Sequence, residues 1–409
     1  MRSAREALSN GVVLQSRQRP HTVQAVIAVH HGTGFRHETP DTAGAAHLME
    51  HLLYRVPLPG GDDSISAVER SGGSVHATTH PEYTDYCSVV PPEAVADVVE
   101  WECKRLAVEL DDRMVRTQKK VVAQEIAANF TSAFSAGFPW VLLSGSMFNQ
   151  FHYAHNGYGD VSHMQHMTVS DLSAFYVDRY RPDRMTVTIV TPDELEPVMD
   201  RARAVLEKIP PRKQTAPRLD RTDTRRRQQI ASVCNGSRIR ALVNGWHMPP
   251  AESNTLAYTT AYAWVSAARR VALRQQRRQQ ADPHLRIRPL AGLMGTAFDV
   301  ADHDVMSLAI VSSTGEHTLD QLREAKDTFV RFVDRDIDEN SAAAAEAEFA
   351  TALDDPRNAA RRIGAHTSLF GSALGTDKVL RVLGRLDGSQ VAARMGAPDA
   401  EVVVEGGRA

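Results

Sequence analysis

Apolar and polar positions along this chain recur with two periods, and the changes between them mark off elements. Val12-Val-Leu14 and Val23 to His30, introduced by an Asn10-Gly11 turn signal, read as strands of an opening antiparallel pair. Gly32 to Gly44 is rich in Gly, Thr and Pro and reads as a turn region, after which Ala45 to Tyr54 is helix-forming and mostly apolar. Ser64 to Arg70 has the spacing of a second helix. Gly72 to Thr79 and Tyr83 to Val90 are β-rich and are broken at His80-Pro81. Glu93 to Leu110 and Asp112 to Asn129 are amphipathic at helical period. The mixture predicts an α+β fold.

Around 210–228 the periodicity stops. Pro210 to Pro217 and Arg225 to Gln229 are polar, Pro-containing or Arg-rich, as a linker should be. The expected division is therefore a first half over 1–210, a linker over 211–228 and a second half over 229–409. In that second half the coarse order recurs. Strands are expected around Arg238 to Trp246, near Ala297 and at Val305 to Ser312, with helices at Leu256 to Gln280 and Leu319 to Asp336. This is a degenerate repeat of the first half.

Composition narrows the class without choosing within it. With 409 residues, 42% hydrophobic and 24% charged, the chain can bury a sizeable core. A net charge of −3 gives no electrostatic footprint for nucleic acid or an anionic membrane. Cys87, Cys103 and Cys234 are far apart and lack C-x-x-C spacing, so neither a disulfide framework nor a thiolate zinc site is expected. That usage fits a reducing, cytoplasmic setting. The N-terminal stretch to Leu14 has no apolar run of signal-peptide length, and no stretch approaches the length of a membrane span.

The candidate chemistry lies in His47-Leu-Met-Glu50-His51. Two imidazoles four positions apart share one helix face and can reach one metal ion. Glu50 beside them is placed to take a proton from a metal-activated water, and H-x-x-E-H is the inverted form of the metalloprotease H-E-x-x-H. Two His and an acid on a mostly apolar helix are costly to bury without a partner, and a metal neutralises them best. A third ligand is expected from the Asp112 to Asn129 helix, where Glu125 is flanked by Val121, Val122 and Ile126 on the core side. The same position also suits a solvated helix face. Gln118 lies two turns before Glu125 on the same face. The scattered His152, His155, His163 and His166 share no face and read as surface loop.

Taken together, these stretches resemble the pitrilysin and mitochondrial processing peptidase family of inverzincins, and more closely its short bacterial members built from two halves. The shared features keep the family's order. They are Gly32 to Pro40, the His47 to His51 motif, Gly72-Gly73 through Ala77-Thr78 with Tyr83-Thr84 and Tyr86, a downstream acid, and Leu172 to Tyr176 with Tyr180 to Met185. The resemblance implies two α/β sandwich halves, each an antiparallel sheet backed by helices, together forming half of a clamshell. It assigns one zinc per chain to His47, His51 and Glu125, and the role of general base to Glu50. It makes Gly73, Ser74, Val75, His76 and Ala77 an edge strand that binds extended peptides by β-augmentation. Two residues depart from the family pattern. His76 stands where Asn is usual, and Gln118 stands where a second acid is usual, leaving an uncharged group to support the ligands.

The second half lacks a further feature of the family. Active members carry an Arg and, seven positions later, a Tyr that stabilise the oxyanion. Here Arg274 is followed at that distance by Ala281 and Arg288 by Gly295, while Arg277 and Arg278 suit a solvated helix face. The expectation is a zinc metalloendopeptidase subunit that cleaves short unstructured peptides, such as leader segments. A homologous partner would supply the Arg/Tyr pair in a heterodimer, or failing that in a homodimer. The alternative is a non-catalytic peptide-binding or scaffold subunit.

Overall fold

The computed structural model describes residues 2–58, 63–129, 138–212, 230–234, 239–278, 282–372, 374–391 and 396–405. Its strands are β1 (Ser3–Ala7), β2 (Val13–Gln18), β3 (Ala25–His31), β4 (Ser74–Thr79), β5 (Thr84–Val90), β6 (Met185–Thr191), β7 (Ile230–Cys234), β8 (Arg240–Met248), β9 (Leu285–Ala291), β10 (Asp304–Ser312) and β11 (Ala400–Glu405). The first four α-helices are α1 (Ala45–Tyr54), α2 (Ser64–Arg70), α3 (Val95–Lys104) and α4 (Asp112–Asn129), and α1 and α4 carry the candidate site. Three of these four have the bounds that periodicity predicts. The Glu93 to Leu110 stretch instead divides into α3 and two flanking 3-10 turns, Pro92–Ala94 and Arg105–Ala107.

Two compact units form, and neither is continuous in sequence. One gathers Met1–Ile126, Gly157–Asp220 and Ala352–Gly375; the other gathers Ala127–Asn156, Arg221–Thr351 and Thr376–Ala409. A single cut at 211–228 does not express this exchange of segments. Residues 213–228 of the expected linker lie outside the described residues.

In the first unit the sheet order is β1-β2-β6-β3-β5-β4. The expected opening pair is therefore not a pair. β6 inserts between its members, parallel to β2 and antiparallel to β3, while β2 takes β1 as its antiparallel partner. β1, with the sequence Ser-Ala-Arg-Glu-Ala, carries no apolar alternation that could have announced it. Val26 and Ala28 of β3, Cys87 of β5 and Val190 of β6 pack on Ala360 of the Pro356–Phe370 helix. That contact is why the 352–375 segment belongs here. The helix lies so close that a Cβ on Gly364 would come 2.3 Å from the His30 ring, so only Gly fits there. It is further pinned by Arg361, which reaches the buried Asp85 of β5 at 2.6 and 2.9 Å and Thr78 of β4 at 3.1 Å.

The second unit has a five-stranded sheet in the order β7-β11-β8-β10-β9. Its core joins Leu143 and Met147 of the Trp140–Met147 helix to Ala241 and Val243 of β8 and Val402 and Val404 of β11. The strand expected near Ala297 is instead β9, at Leu285–Ala291, where arginines alternate with Leu and Ile. The long helix runs Thr255–Arg277 and the next Leu319–Asp336, close to expectation. The four scattered histidines, expected in a loop, sit on or beside two short helices, Phe151–Ala154 and Val161–His166. No helix among the described residues is long and apolar enough to cross a membrane.

Two buried imidazoles make the stability of this fold pH-dependent. His30 and His31 are fully buried. Desolvation pushes His30 down to about 4, against the opposing charge of Asp85, and His31 down to about 3, helped by the charge of Arg105. In the unfolded chain such rings titrate near about 6.5. As pH falls below that value, protons bind the unfolded chain first, so folding stability declines down to about pH 4. Denaturant unfolding at about pH 7 and about pH 4.5 should give a lower midpoint in acid, with a smaller difference in His31→Gln. Equal midpoints for the wild-type chain would contradict the assignment of neutral buried rings.

Candidate metal centre

The site is built on α1, and the helix is held at both ends. Its N-cap is Gly44 at φ 91°, a conformation that favours glycine, and a Cβ there would come 2.9 Å from the Gly159 Cα. A glycine has no side chain to cap the first turn, and the buried Glu38 does so instead. Its carboxylate accepts from the Gly44 and Ala46 N–H groups at 2.9 and 2.8 Å. At the other end the buried Arg105 guanidinium donates to the Leu53 carbonyl at 2.5 Å, pairs with Glu102 at 2.7 Å and lies over the Tyr86 ring. Leu48, Met49, Leu52 and Leu53 fill the core side of α1 and are fully buried. That leaves His47, Glu50, His51 and Tyr54 along the opposite face.

Glu125, on α4, comes to this face. Its carboxylate oxygens lie 3.6 Å from His47 Nε2 and 3.1 Å from His51 Nε2. The two imidazole rings stand edge to face with centroids 5.0 Å apart. Each of the three residues offers one ligand atom, and these atoms all lie within 4.8 Å of one another. Among the described residues this is the one His, Cys, Asp and Glu group with such spacing. Val122 on the same helix is buried, as expected, while Val121 is 41% exposed, because α4 turns its core face toward Val115 and Val122 only.

The three groups polarise one another. Hydrogen bonds from His47 and His51 hold the Glu125 carboxyl far below the usual carboxylate range, against the opposing effect of partial burial. Burial alone would lower the His47 imidazole, but its hydrogen bond to Glu125 and the nearby Glu50 charge outweigh that and raise it. Two imidazoles and an ionised carboxylate converging in this way fit zinc, and three protein ligands leave a coordination position for substrate or water.

Glu50 does not join the cluster. Its Oε2 accepts a hydrogen bond from Thr79 Oγ1 at 2.6 Å, which ties the side chain to β4. Gln118 is half-buried on α4, and its side chain makes no hydrogen bond to any described residue. His76 is exposed on β4 and lies outside the three-residue group. β4 is the edge strand of its sheet among the described residues. In the second unit Arg274 is engaged with Asp336, Arg277, Arg278 and Arg288 are exposed, and Ala281 lies outside the described residues.

Sequence reasoning did not single out Thr79, Glu38 or Arg105. A capping residue is sought immediately before the helix, whereas Glu38 stands six positions before Gly44. Arg105 follows an amphipathic helix and looks like any solvated end. Thr79 lay within a segment already read as strand, and only the fold brings it to Glu50.

Comparison with known proteins identifies the family. Residues 12–135, which hold the entire cluster, match the insulinase family (peptidase family M16), and residues 166–264 match the peptidase M16 inactive domain. The chain belongs to this family of peptidases. It is 30% identical over 194 residues to an uncharacterised zinc protease of Mycobacterium leprae, covering 45% of this chain and 42% of that one. It is 25% identical over 193 residues to another of Bacillus subtilis, covering 45% of each. It is 24% identical over 183 residues to a probable mitochondrial-processing peptidase subunit beta of Schizosaccharomyces pombe, covering 44% and 40%. The matched regions thus span less than half the length of these curated relatives. Among solved structures, a protease from Helicobacter pylori superposes with a TM-score of 0.84 at 15% identity, covering 99% of both chains. A peptidase M16 inactive domain from Pseudomonas fluorescens gives 0.80 at 12% identity, covering 100% and 99%.

A folded chain with this donor set should gain stability from zinc by mass action, about 4 kcal/mol at a thousandfold excess over Kd. Differential scanning calorimetry with and without Zn2+ should therefore show a raised unfolding temperature in the wild-type chain and little change in His51→Ala or Glu125→Ala. An equal rise in all three proteins would place the metal elsewhere.

Proposed function

We propose that this chain is the metal-bearing subunit of a zinc-dependent endopeptidase acting on short unstructured peptides, such as leader segments, together with a homologous partner subunit. The observation that most supports this reading is the convergence of His47, His51 and Glu125 from two helices with Glu50 beside them. Zinc held by the three would supply Lewis acidity toward a peptide carbonyl and toward water. The chain's own residues account for the rest of the chemistry. Glu50 takes a proton from the attacking water and delivers it to the departing amine. Thr79 fixes one oxygen of that carboxylate, which leaves the other to carry the proton. The free edge of β4 binds the substrate as an added strand, through main-chain hydrogen bonds that are largely independent of sequence.

The partner is inferred from charge. None of the arginines weighed for the oxyanion is followed seven positions later by Tyr. Arg274, the positional match, spends its guanidinium on Asp336. A similar chain supplying an Arg/Tyr pair would complete the site, and one relative is itself named as a processing-peptidase subunit. A scaffold role is disfavoured because all four residues of the His47–Glu50–His51–Glu125 set are retained, and the inactive-domain match lies at 166–264, away from them.

Glu50→Gln should keep zinc content and peptide affinity while losing hydrolysis; cleavage at the wild-type rate would exclude Glu50 as the base. A hydrogen bond to a charged group contributes about 1.5–3 kcal/mol. Thr79→Val should therefore lower kcat about tenfold or more with KM unchanged, and Thr79→Ser should restore it. A Thr79→Val enzyme with normal kcat would remove the orienting role.

A further inference from the structure

β4 has a phase that determines which of its backbone groups a visitor can use. His80 N–H donates to the Tyr83 carbonyl at 2.8 Å, and the β4–β5 register runs from Thr79↔Thr84 to Ser74↔Val89. Hydrogen-bonded and non-hydrogen-bonded pairs alternate in an antiparallel ladder. Thr78, His76 and Ser74 therefore turn their N–H and C=O groups toward β5, and Thr79, Ala77, Val75 and Gly73 turn theirs to the free edge. Two of these outward groups are already occupied. Gly73 N–H donates to the Val68 carbonyl at 3.0 Å. The Tyr54 hydroxyl donates to the Val75 carbonyl at 2.8 Å.

Tyr54 is rigidly placed. It stands on α1 one turn after Glu50, with its ring stacked on Tyr86 at 6.4 Å between centroids. α1 thus touches β4 at two points four residues apart on each element, Glu50 on Thr79 and Tyr54 on Val75. The stretch between them is four residues, about 13 Å of strand. One end is marked by the candidate base and the other by a phenol that competes for the carbonyl a peptide would use.

We propose that Tyr54 is a specificity-determining residue that sets where pairing of an added peptide weakens: among the described residues nothing engages the edge-facing backbone groups of Ala77 and Thr79, whereas the Tyr54 hydroxyl already occupies one lone pair of the Val75 carbonyl. This rests on β4 being the peptide-binding edge. The peptide residue opposite Val75 then meets an acceptor already engaged by the phenol and must share it, so its N–H gains least there and the ladder that holds substrate is strongest at the two positions nearest Glu50. The enzyme consequently recognises a short extended stretch by its backbone and leaves more distant residues of the substrate unread by β4.

The test is a backbone N-methyl scan of a fluorescein-labelled Ala/Thr/Val decapeptide, with Kd measured by fluorescence anisotropy on the zinc-loaded full chain carrying Glu50→Gln. With Tyr54 present, methylation should weaken binding at the positions facing Ala77 and Thr79, two residues apart, and be neutral at the next position of that series. With Tyr54→Phe added, that third position should become sensitive by about fivefold, the size of one ladder hydrogen bond. Tyr54→Leu should give the same new position, and the zinc-induced rise in unfolding temperature reports that each variant is folded. Identical methylation profiles with and without the hydroxyl would overturn the role of Tyr54 while leaving the peptide edge intact. No binding, or no alternation at all, would defeat the peptide-edge reading and this proposal with it.

Discussion

The first unit is organised around a carboxylate drawn between two imidazoles. Glu125 is only partly buried, yet its negative charge is held by His47 and His51 at 3.6 and 3.1 Å. His47 is buried and the other two partly so, and each gains from its neighbours part of what it loses in hydration. The rest of the unit serves to keep them converged. Glu38 and Arg105, both fully buried, secure the two ends of α1, and the aliphatic face of α1 sits in the core. Rigid placement of the helix is what makes the spacing of His47 and His51 useful.

The same helix links chemistry to recognition. Glu50 and Tyr54 reach β4, so the proposed base and the edge strand are parts of one hydrogen-bonded assembly. On the opposite side of that hairpin, Arg361 binds Asp85 and Thr78. β4 is therefore held by side chains from α1 and from a helix more than 280 residues further along the chain. An edge strand so restrained keeps its unpaired backbone groups in a fixed phase, which suits it to receive another strand.

Much of the candidate metal cluster could be read from the sequence because it depends on local order. The four-residue spacing of His47 and His51 specifies one helix face, and α1, α2 and α4 end where the periodicity does. Glu125 was ambiguous by periodicity alone and was assigned through family resemblance. What the sequence did not reveal depends on contacts distant along the chain. β6 inserts between β2 and β3, and no local pattern encodes which strands become neighbours. β1 is polar on both faces, β9 alternates Arg with Leu and Ile, and neither stands out as an apolar run. The Pro356–Phe370 helix looks like an ordinary helix of the second half until Gly364 is seen against His30. Thr79 and Tyr54 gain their roles only when α1 lies beside β4.

The central claim is that one zinc ion is held by two imidazoles of α1 and the carboxylate of α4. X-ray absorption at the zinc edge of the fully loaded chain examines that first shell directly. The account predicts nitrogen and oxygen neighbours with the multiple-scattering signature of two imidazoles, one of which is lost in His51→Ala. A shell containing sulfur, or one unchanged by that substitution, would contradict it.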